Sequence, residues 1–201
     1  MPRNERQIHG FKFEDWLKKT FFDIYYTSEW DIPEKLNPNP AGGPISIKTA
    51  KWKGSVYFGD ALRQFQINQQ FTLIVGFWKS EGNKKKIVKI VEAAVSLKKW
   101  KEIWKPLTIE TLRKLDNLIK DRSVSPEVAR KHIQERLSDL RNSKPTIITL
   151  NPKIDSKTQR RLQCSLSFPN FFKYLVGIDP DAVEEDTVFL LWGEKLIPPD
   201  F

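Results

Sequence analysis

The stretch EWDIPEKLNPNPAGGPISIKTAK, residues 29–51, decides the fold. Two pieces with strand character, residues 29–32 and 44–49, flank a segment rich in proline, asparagine and glycine, which predicts a turn region. Asp31 ends the first piece and Lys48 lies in the second. We expect a hairpin that brings this carboxylate and this ammonium group together at one point of a sheet.

Such a pair has a chemical use. A carboxylate can hold Mg²⁺, the metal can polarise a scissile phosphate and activate a water molecule, and a nearby lysine can stabilise charge or help to deprotonate that water. The arrangement resembles the PD-(D/E)xK nuclease superfamily, which includes many type II restriction endonucleases. The motif of that superfamily is an Asp on one strand, then acid-x-Lys on the next. Asp31 fits the first position and Lys48 the last, whereas Ser46 stands where the second acid is expected.

The resemblance also implies how the missing acid is replaced. In variants of the superfamily another element supplies it, often a glutamate on the preceding helix, and Glu14 in HGFKFEDWL is the candidate. The resemblance thus implies a Mg²⁺ site held by Asp31 and Glu14. It also implies that the Ser46 region contributes a backbone carbonyl or a weak ligand, and that Lys48 orients or activates the attacking water.

Residues 9–25 have the periodicity of an amphipathic helix, because apolar side chains recur at spacings of three and four. Glu14 lies at the margin of the apolar stripe, from which it could reach the sheet that the helix covers. A simpler interpretation is a solvated carboxylate that pairs with Lys18 at i+4. Asp60 is an alternative third acid, although its position before a helix also explains it as an N-cap.

The remaining pattern alternates between strands and helices. Strands are predicted at residues 55–58, 71–78, 86–91, 145–150 and 187–192. Helices are predicted at residues 59–66, 108–121, 125–141 and 168–176, and a basic amphipathic helix or turn at residues 95–105. This order predicts an α/β fold, and the resemblance implies a restriction-endonuclease-like mixed central sheet flanked by helices. We expect a single domain over residues 1–201, with a core at about 9–95 and 145–201 and a helical hairpin insertion at about 97–142.

The charge of the chain is unevenly distributed. The formal net charge is +9, and residues 79–161 carry 22 basic and 10 acidic side chains, while residues 162–201 carry 2 and 7. This asymmetry favours a polyanionic partner, with nucleic acid first, over a uniformly charged surface. A lysine-rich surface of a heat-tolerant protein is the alternative.

Two groups of residues are candidates for contacts to double-stranded DNA. The first follows the predicted active strand and consists of Lys51, Lys53, Arg63 and Gln64. The second is the candidate for base recognition, because Arg and Gln can make paired hydrogen bonds to base edges. It consists of Lys153, Ser156, Lys157, Gln159, Arg160, Arg161 and Gln163. An edge strand that carries surface charge is the alternative for each member of the second group.

Composition excludes several other classes. The single cysteine, Cys164, excludes an internal disulfide and a cysteine-based zinc site. The chain has no apolar run long enough for a membrane span and no signal-peptide pattern at its start, so we expect an intracellular, cytoplasmic protein. The favoured hypothesis is a Mg²⁺-dependent DNA endonuclease that works as a homodimer. The alternatives are a non-catalytic nucleic-acid-binding protein derived from a nuclease fold and a structural interaction protein.

Overall fold

The computed structural model describes residues 5–22, 30–155 and 159–200, with side chains from residue 12 onward. The main elements are α1 (Glu5–Phe21), β1 (Ile45–Lys51), β2 (Val56–Asp60), α2 (Ala61–Phe65), β3 (Phe71–Glu81), β4 (Lys84–Val95), α3 (Leu97–Trp104), α4 (Ile109–Lys120), α5 (Pro126–Ser143), β5 (Thr149–Ile154), β6 (Arg160–Leu166), β7 (Phe189–Leu191) and β8 (Glu194–Leu196). Short helical turns lie at Glu34–Leu36, Pro40–Gly42, Phe168–Asn170, Phe171–Val176 and Pro180–Ala182. In the described part of the chain, no helix combines the length and the apolar character that a membrane span requires.

The strands form a mixed sheet, an antiparallel sheet and a small hairpin. In the mixed sheet, β3 lies between β1, to which it is parallel, and β4, to which it is antiparallel. In the antiparallel sheet, β6 lies between β2 and β5, and β7 pairs with β8 alone. The α/β class is therefore confirmed, with a mixed sheet flanked by helices.

The two faces of the mixed sheet are covered by different layers. Along β3, Ile74 belongs to a cluster with Phe13 and Leu17 of α1, whereas Leu73 and Val75 belong to the larger core. That larger core also contains apolar residues of the antiparallel sheet and of α3, α4 and α5. Residues 71–77 are all buried, as the apolar run predicts for a central strand covered on both faces.

Three predicted strands differ from the structure. In the described part of the predicted strand 29–32, only an isolated antiparallel bridge from Ile32 to Ile45 forms. The prediction at 145–150 is displaced, since the observed strand is Thr149–Ile154 and includes a proline. The prediction of a final buried strand at 187–192 is wrong, because β7 is three residues long and Leu190 is 61% exposed.

The predicted helices after residue 95 are observed with small changes of boundary. Thr108 accepts a hydrogen bond from the Thr111 N–H as the N-cap of α4, and Pro126 is the first residue of α5. Leu112 and Ile119 of α4 and Ile133 of α5 are fully buried and belong to the larger core. The helical hairpin therefore shares its core with both sheets, while its basic side chains remain on the outer faces.

Candidate active site

One oxygen of Asp31 is the centre of the candidate site. Its Oδ2 accepts a hydrogen bond from the Ile47 N–H at 2.6 Å and one from the Ser46 hydroxyl at 3.2 Å. The same oxygen lies 3.2 Å from Lys48 Nζ, which also donates to the Ile47 carbonyl at 2.8 Å. The structure thus brings together the carboxylate and the ammonium group that the hairpin prediction paired across 17 positions.

Asp31 reaches this position because β1 is an edge strand. The backbone of Ile32 exchanges two hydrogen bonds with Ile45, at 3.1 and 2.9 Å, along the free edge of β1. A single bridge is sufficient to place the preceding carboxylate beside Ser46 and Lys48. These two residues lie two positions apart on β1, so their side chains share one face of the strand.

The loop between Asp31 and β1 is attached to the mixed sheet by hydrogen bonds of a buried side chain, Asn37. The buried Asn37 amide donates to the Gly43 carbonyl at 2.6 Å and to Thr72 Oγ1 at 3.1 Å, and its oxygen accepts the Asn39 N–H at 2.9 Å. Gly43 adopts a φ of +67°, and a Cβ there would lie 2.4 Å from the Gln70 carbonyl oxygen. The loop is therefore anchored to the start of β3, which holds Asp31 in register with β1.

Glu14 approaches from α1, which packs against β1. Its Oε1 accepts a hydrogen bond from Lys18 Nζ at 2.5 Å, and Lys18 is only 1% exposed. The predicted i+4 pair is therefore present, but the prediction of a solvated pair is wrong. Removing one partner of a buried ion pair typically costs about 3–5 kcal/mol, so this pair fixes the orientation of Glu14.

The charges of the site act on Glu14. Burial raises the pKa of Glu14 above its ordinary value, and the negative charge of Asp31 raises it further. The hydrogen bond from Lys18 and the positive charges of Lys18 and Lys48 lower the pKa, but they do not cancel the first two effects. The charges of Asp31 and Lys48 therefore act on the Glu14 carboxyl group.

A small cavity opens beside the Asp31 carboxylate. Its volume is about 90 Å³, and its lining consists of Trp30, Asp31, Ser46, Lys48, Arg63, Gln64 and Ile67. This space is large enough for several water molecules. Arg63 and Gln64, which were predicted to face the site, therefore do so, whereas Glu14 lies outside the lining.

The position of α2 explains why Arg63 and Gln64 line the cavity. The Asp60 carboxylate caps α2 by accepting a hydrogen bond from the Arg63 N–H at 2.9 Å. This cap explains why an acid is present at position 60, so a role in metal binding is not needed to explain it. The indole N–H of the buried Trp100 donates to the Gln64 carbonyl at 2.8 Å. This one short helix is therefore held at both ends.

The site contains oxygen atoms of the types that bind hard cations. In the described part of the chain, neither Asp31 Oδ1 nor Glu14 Oε2 accepts a hydrogen bond from the protein. These two oxygens and the Ser46 hydroxyl are the ligand types that Mg²⁺ prefers, and Mg²⁺ often uses one or two carboxylates together with water and substrate phosphate. Among the described residues, no group of three acidic, histidine or cysteine side chains is placed to hold a metal ion.

The other predicted DNA-contacting residues are distributed over two regions. Lys51 and Lys53 are exposed at the end of β1 and do not line the cavity. Lys153, Arg161 and Gln163 lie on the antiparallel sheet, next to the half-buried Gln159.

One member of that group differs from the rest, and two lie outside the described residues. Arg160 donates to the Asp121 carbonyl and, at 3.0 Å, to the Val124 carbonyl, so its guanidinium fixes the turn between α4 and α5. Ser156 and Lys157 lie outside the described residues.

Three side chains at the site were not identified as site residues from the sequence. Lys18 was considered only as a partner for Glu14 at the surface, and its burial depends on how α1 packs against the sheet. Trp30 and Ile67 line the cavity, and only the position of Trp30 beside Asp31 could have indicated this.

Comparisons with known proteins do not identify the chain. No protein-family model matches it, and no curated protein or solved structure is significantly similar to it.

Proposed function

We propose that the chain is a Mg²⁺-dependent DNA endonuclease, related in mechanism to the PD-(D/E)xK enzymes and acting as a sequence-specific type II restriction enzyme. The observation that carries the proposal is the Asp31 carboxylate, with Ser46 and Lys48 on one oxygen and the charge of Glu14 nearby. The basic middle of the chain supports a nucleic-acid substrate.

In this mechanism Asp31 and Glu14 would hold the metal, with Ser46 as a weak ligand. When bound, the metal would polarise the scissile phosphate and lower the pKa of a water molecule. Lys48 has three N–H donors, of which two are used by Asp31 and Ile47, so one is available to orient the attacking water or a phosphate oxygen.

The reaction is a hydrolysis by in-line attack on phosphorus. The water oxygen forms a bond to phosphorus as the water loses a proton, and the bond from phosphorus to the 3′ oxygen breaks. The 3′ oxygen takes up a proton, which leaves a 3′-hydroxyl and a 5′-phosphate. Cutting both strands of a palindromic site requires two such centres related by a two-fold axis, so the proposal includes a homodimer.

Digestion of a defined plasmid tests the proposal. We expect cleavage with Mg²⁺, none with EDTA, and end mapping that shows a fixed cut position. Lys48→Ala and Asp31→Ala should each lower the cleavage rate by about 10²-fold or more while DNA binding is retained. Lys195→Ala, which changes an exposed lysine on β8 in the acidic end segment, is the matched control and should cut like the parent. Unchanged cleavage by both site variants would contradict the assignment of the centre.

A second function is favoured by one observation. Ser46 replaces the second acid of the motif, which is what an inactive descendant of a nuclease would have. A non-catalytic nucleic-acid-binding protein would bind DNA in a salt-dependent way and would leave the plasmid intact with Mg²⁺ and with Mn²⁺.

A further inference from the structure

The antiparallel sheet has one apolar face and one polar face. Leu162, Cys164 and Leu166 of β6 point into the larger core. The residues between them point the other way, because side chains alternate along a strand. This outer face carries Arg161, Gln163 and Ser165 of β6, Thr149, Asn151 and Lys153 of β5, and Tyr57 of β2. We call these seven residues the outer face of the antiparallel sheet.

The strand register places side chains of matching chemistry beside each other on the outer face. Asn151 lies opposite Gln163, and Lys153 lies opposite Arg161. Two like charges directly opposite each other destabilise a sheet, unless an anion compensates them. The nearest acids along the strands, Asp60 and Asp155, each accept a backbone N–H, from Arg63 at 2.9 Å and from Gln159 at 2.7 Å.

The polar groups of the outer face are only partly used within the protein. In the described part of the chain, the Gln163 amide makes no hydrogen bond, although this side chain is half-buried. The Nε of Arg161 is buried and also has no partner there. Lys153 lies over the ring of Tyr57, with Nζ 5.8 Å from the ring centre. The guanidinium of Arg161 makes one long hydrogen bond, from Nη2 to Gln159 Oε1 at 3.4 Å, whereas Arg160, on the opposite face, donates to two backbone carbonyls.

Strand β2 connects the outer face to the helix that lines the cavity of the candidate active site. Gln163 pairs with Asp60, the residue that caps α2. Arg63 and Gln64, in the first turn and a half of α2, line the cavity beside Asp31. Gln163 is therefore the strand partner of the residue that begins the cavity-lining helix.

We propose that the outer face of the antiparallel sheet enters the major groove of duplex DNA, and that Arg161 and Gln163 read base edges there. The pairing of β2 with β6 ends at Gln163, so at Arg161 the sheet consists of β5 and β6 alone. A two-stranded ribbon of this kind fits the major groove, where Arg makes paired hydrogen bonds to guanine and Gln to adenine. Lys153 and Tyr57 flank these two residues, and Lys153 contacts phosphate. The proposal rests on the proposed function, since the candidate active site defines where the scissile phosphate lies.

Selection from a library of randomised duplexes tests the proposal by binding alone. The full chain is used in EDTA, and the Lys48→Ala chain is used with Mg²⁺, so that neither arm depends on cleavage. We expect the parent to enrich one sequence. Gln163→Ala and Arg161→Ala should each lose about 10-fold to 100-fold preference at one or two base positions.

Three further variants separate base reading from other effects. Lys153→Ala should weaken binding to all sequences alike. The slope of log affinity against log salt concentration should fall by about 1, the value for one phosphate contact. Gln163→Met keeps the length and apolar stem of the side chain, so it should fold like the parent and still lose the preference. Gln134→Ala, which changes an exposed glutamine on α5, is the matched control and should keep the enriched sequence.

Two results would overturn the proposal. The first is no enriched sequence, either with the parent in EDTA or with the Lys48→Ala chain in Mg²⁺. The second is a uniform loss of affinity in the Gln163 and Arg161 variants without a change of preference. Failure of the endonuclease assignment gives a different result. In that case the parent enriches a sequence but does not cut the plasmid with Mg²⁺.

Discussion

Gly76 controls how closely α1 approaches the mixed sheet, and its replacement by alanine provides a sharp test of the fold around the site. Gly76 lies in the middle of β3, opposite Thr49 of β1 and Ile90 of β4. A Cβ at this position would lie 2.5 Å from Cζ of the Phe13 ring and 2.7 and 2.8 Å from the two adjacent ring carbons. Phe13 is fully buried, so the ring cannot move into solvent.

The expected cost follows from this overlap. Adding a methyl group to a filled core typically costs about 1–3 kcal/mol, because neighbouring side chains and backbone must shift. For a chain of this size, each kcal/mol lowers Tm by about 2–4 °C. Urea unfolding followed by tryptophan fluorescence measures the cost of Gly76→Ala, and the slope of the transition should not change.

A second substitution separates steric overlap from other effects of the alanine. Phe13→Leu removes the ring atoms that the new Cβ would meet, so the double variant should be more stable than the sum of the two single changes predicts. A coupling of about 0.5–3 kcal/mol in this double-mutant cycle is expected for residues in contact.

Gly76→Ala should also lower the rate of DNA cleavage, even at temperatures well below Tm, where the variant is folded. Phe13 precedes Glu14, so pushing the ring away from the sheet moves the Glu14 carboxylate relative to Asp31. A displacement of about 1 Å in an active site can cost about 10²-fold in rate. If Gly76→Ala has the stability of the parent and shows no coupling to Phe13→Leu, the packing of α1 described above is wrong.

Two further predictions concern the pH dependence of Glu14 and the anchor of the loop. The folded chain binds the Glu14 proton more tightly than the unfolded chain does, because burial raises the pKa from its ordinary value of 4.5. The free energy of unfolding should therefore fall as pH rises from about 4.5 through the folded pKa. Cleavage should rise over the same interval. Glu14→Gln should remove the contribution of Glu14 to the stability slope in urea titrations at several pH values, and it should lower cleavage at all of them, because an amide is a weaker metal ligand than a carboxylate. Equal stability slopes in parent and variant would contradict this. Asn37→Ala leaves the Gly43 carbonyl and the Thr72 hydroxyl without this donor, so it should cost about 1–3 kcal/mol in the same titrations and lower cleavage by releasing Asp31. A change below about 0.5 kcal/mol would show that the loop is held by other contacts.

Short-range patterns in the sequence were sufficient to predict much of the candidate site. Asp31 and Lys48 flank a turn-rich segment, and any compact return of the chain across it brings them close together. The apolar face of α1 was also predicted from the local spacing of apolar residues, and the helix N-caps at Asp60 and Thr108 were predicted from the residues that follow them. The apolar face of α1 and the caps depend on neighbours within a few residues, which the sequence shows directly.

The strand predictions failed where location within a sheet overrides local pattern. Asn151 and Pro152 are typical of a turn, yet they lie inside β5. This strand is at the edge of its sheet, where a proline costs no ladder hydrogen bond on the open side. Leu190 has the hydropathy of a core residue, but the hairpin of β7 and β8 has no further strand and leaves it exposed.

The amino-acid sequence by itself determined the α/β class, the basic middle of the chain and the chemical groups of the candidate site. Only the tertiary structure decided that Lys18 is buried against Glu14, that Arg160 is used inside the protein and that Arg161 is on the outer face. The physical reason is that burial and the direction of a side chain depend on which element covers it. That element is often far away in sequence, as α1 is from β3.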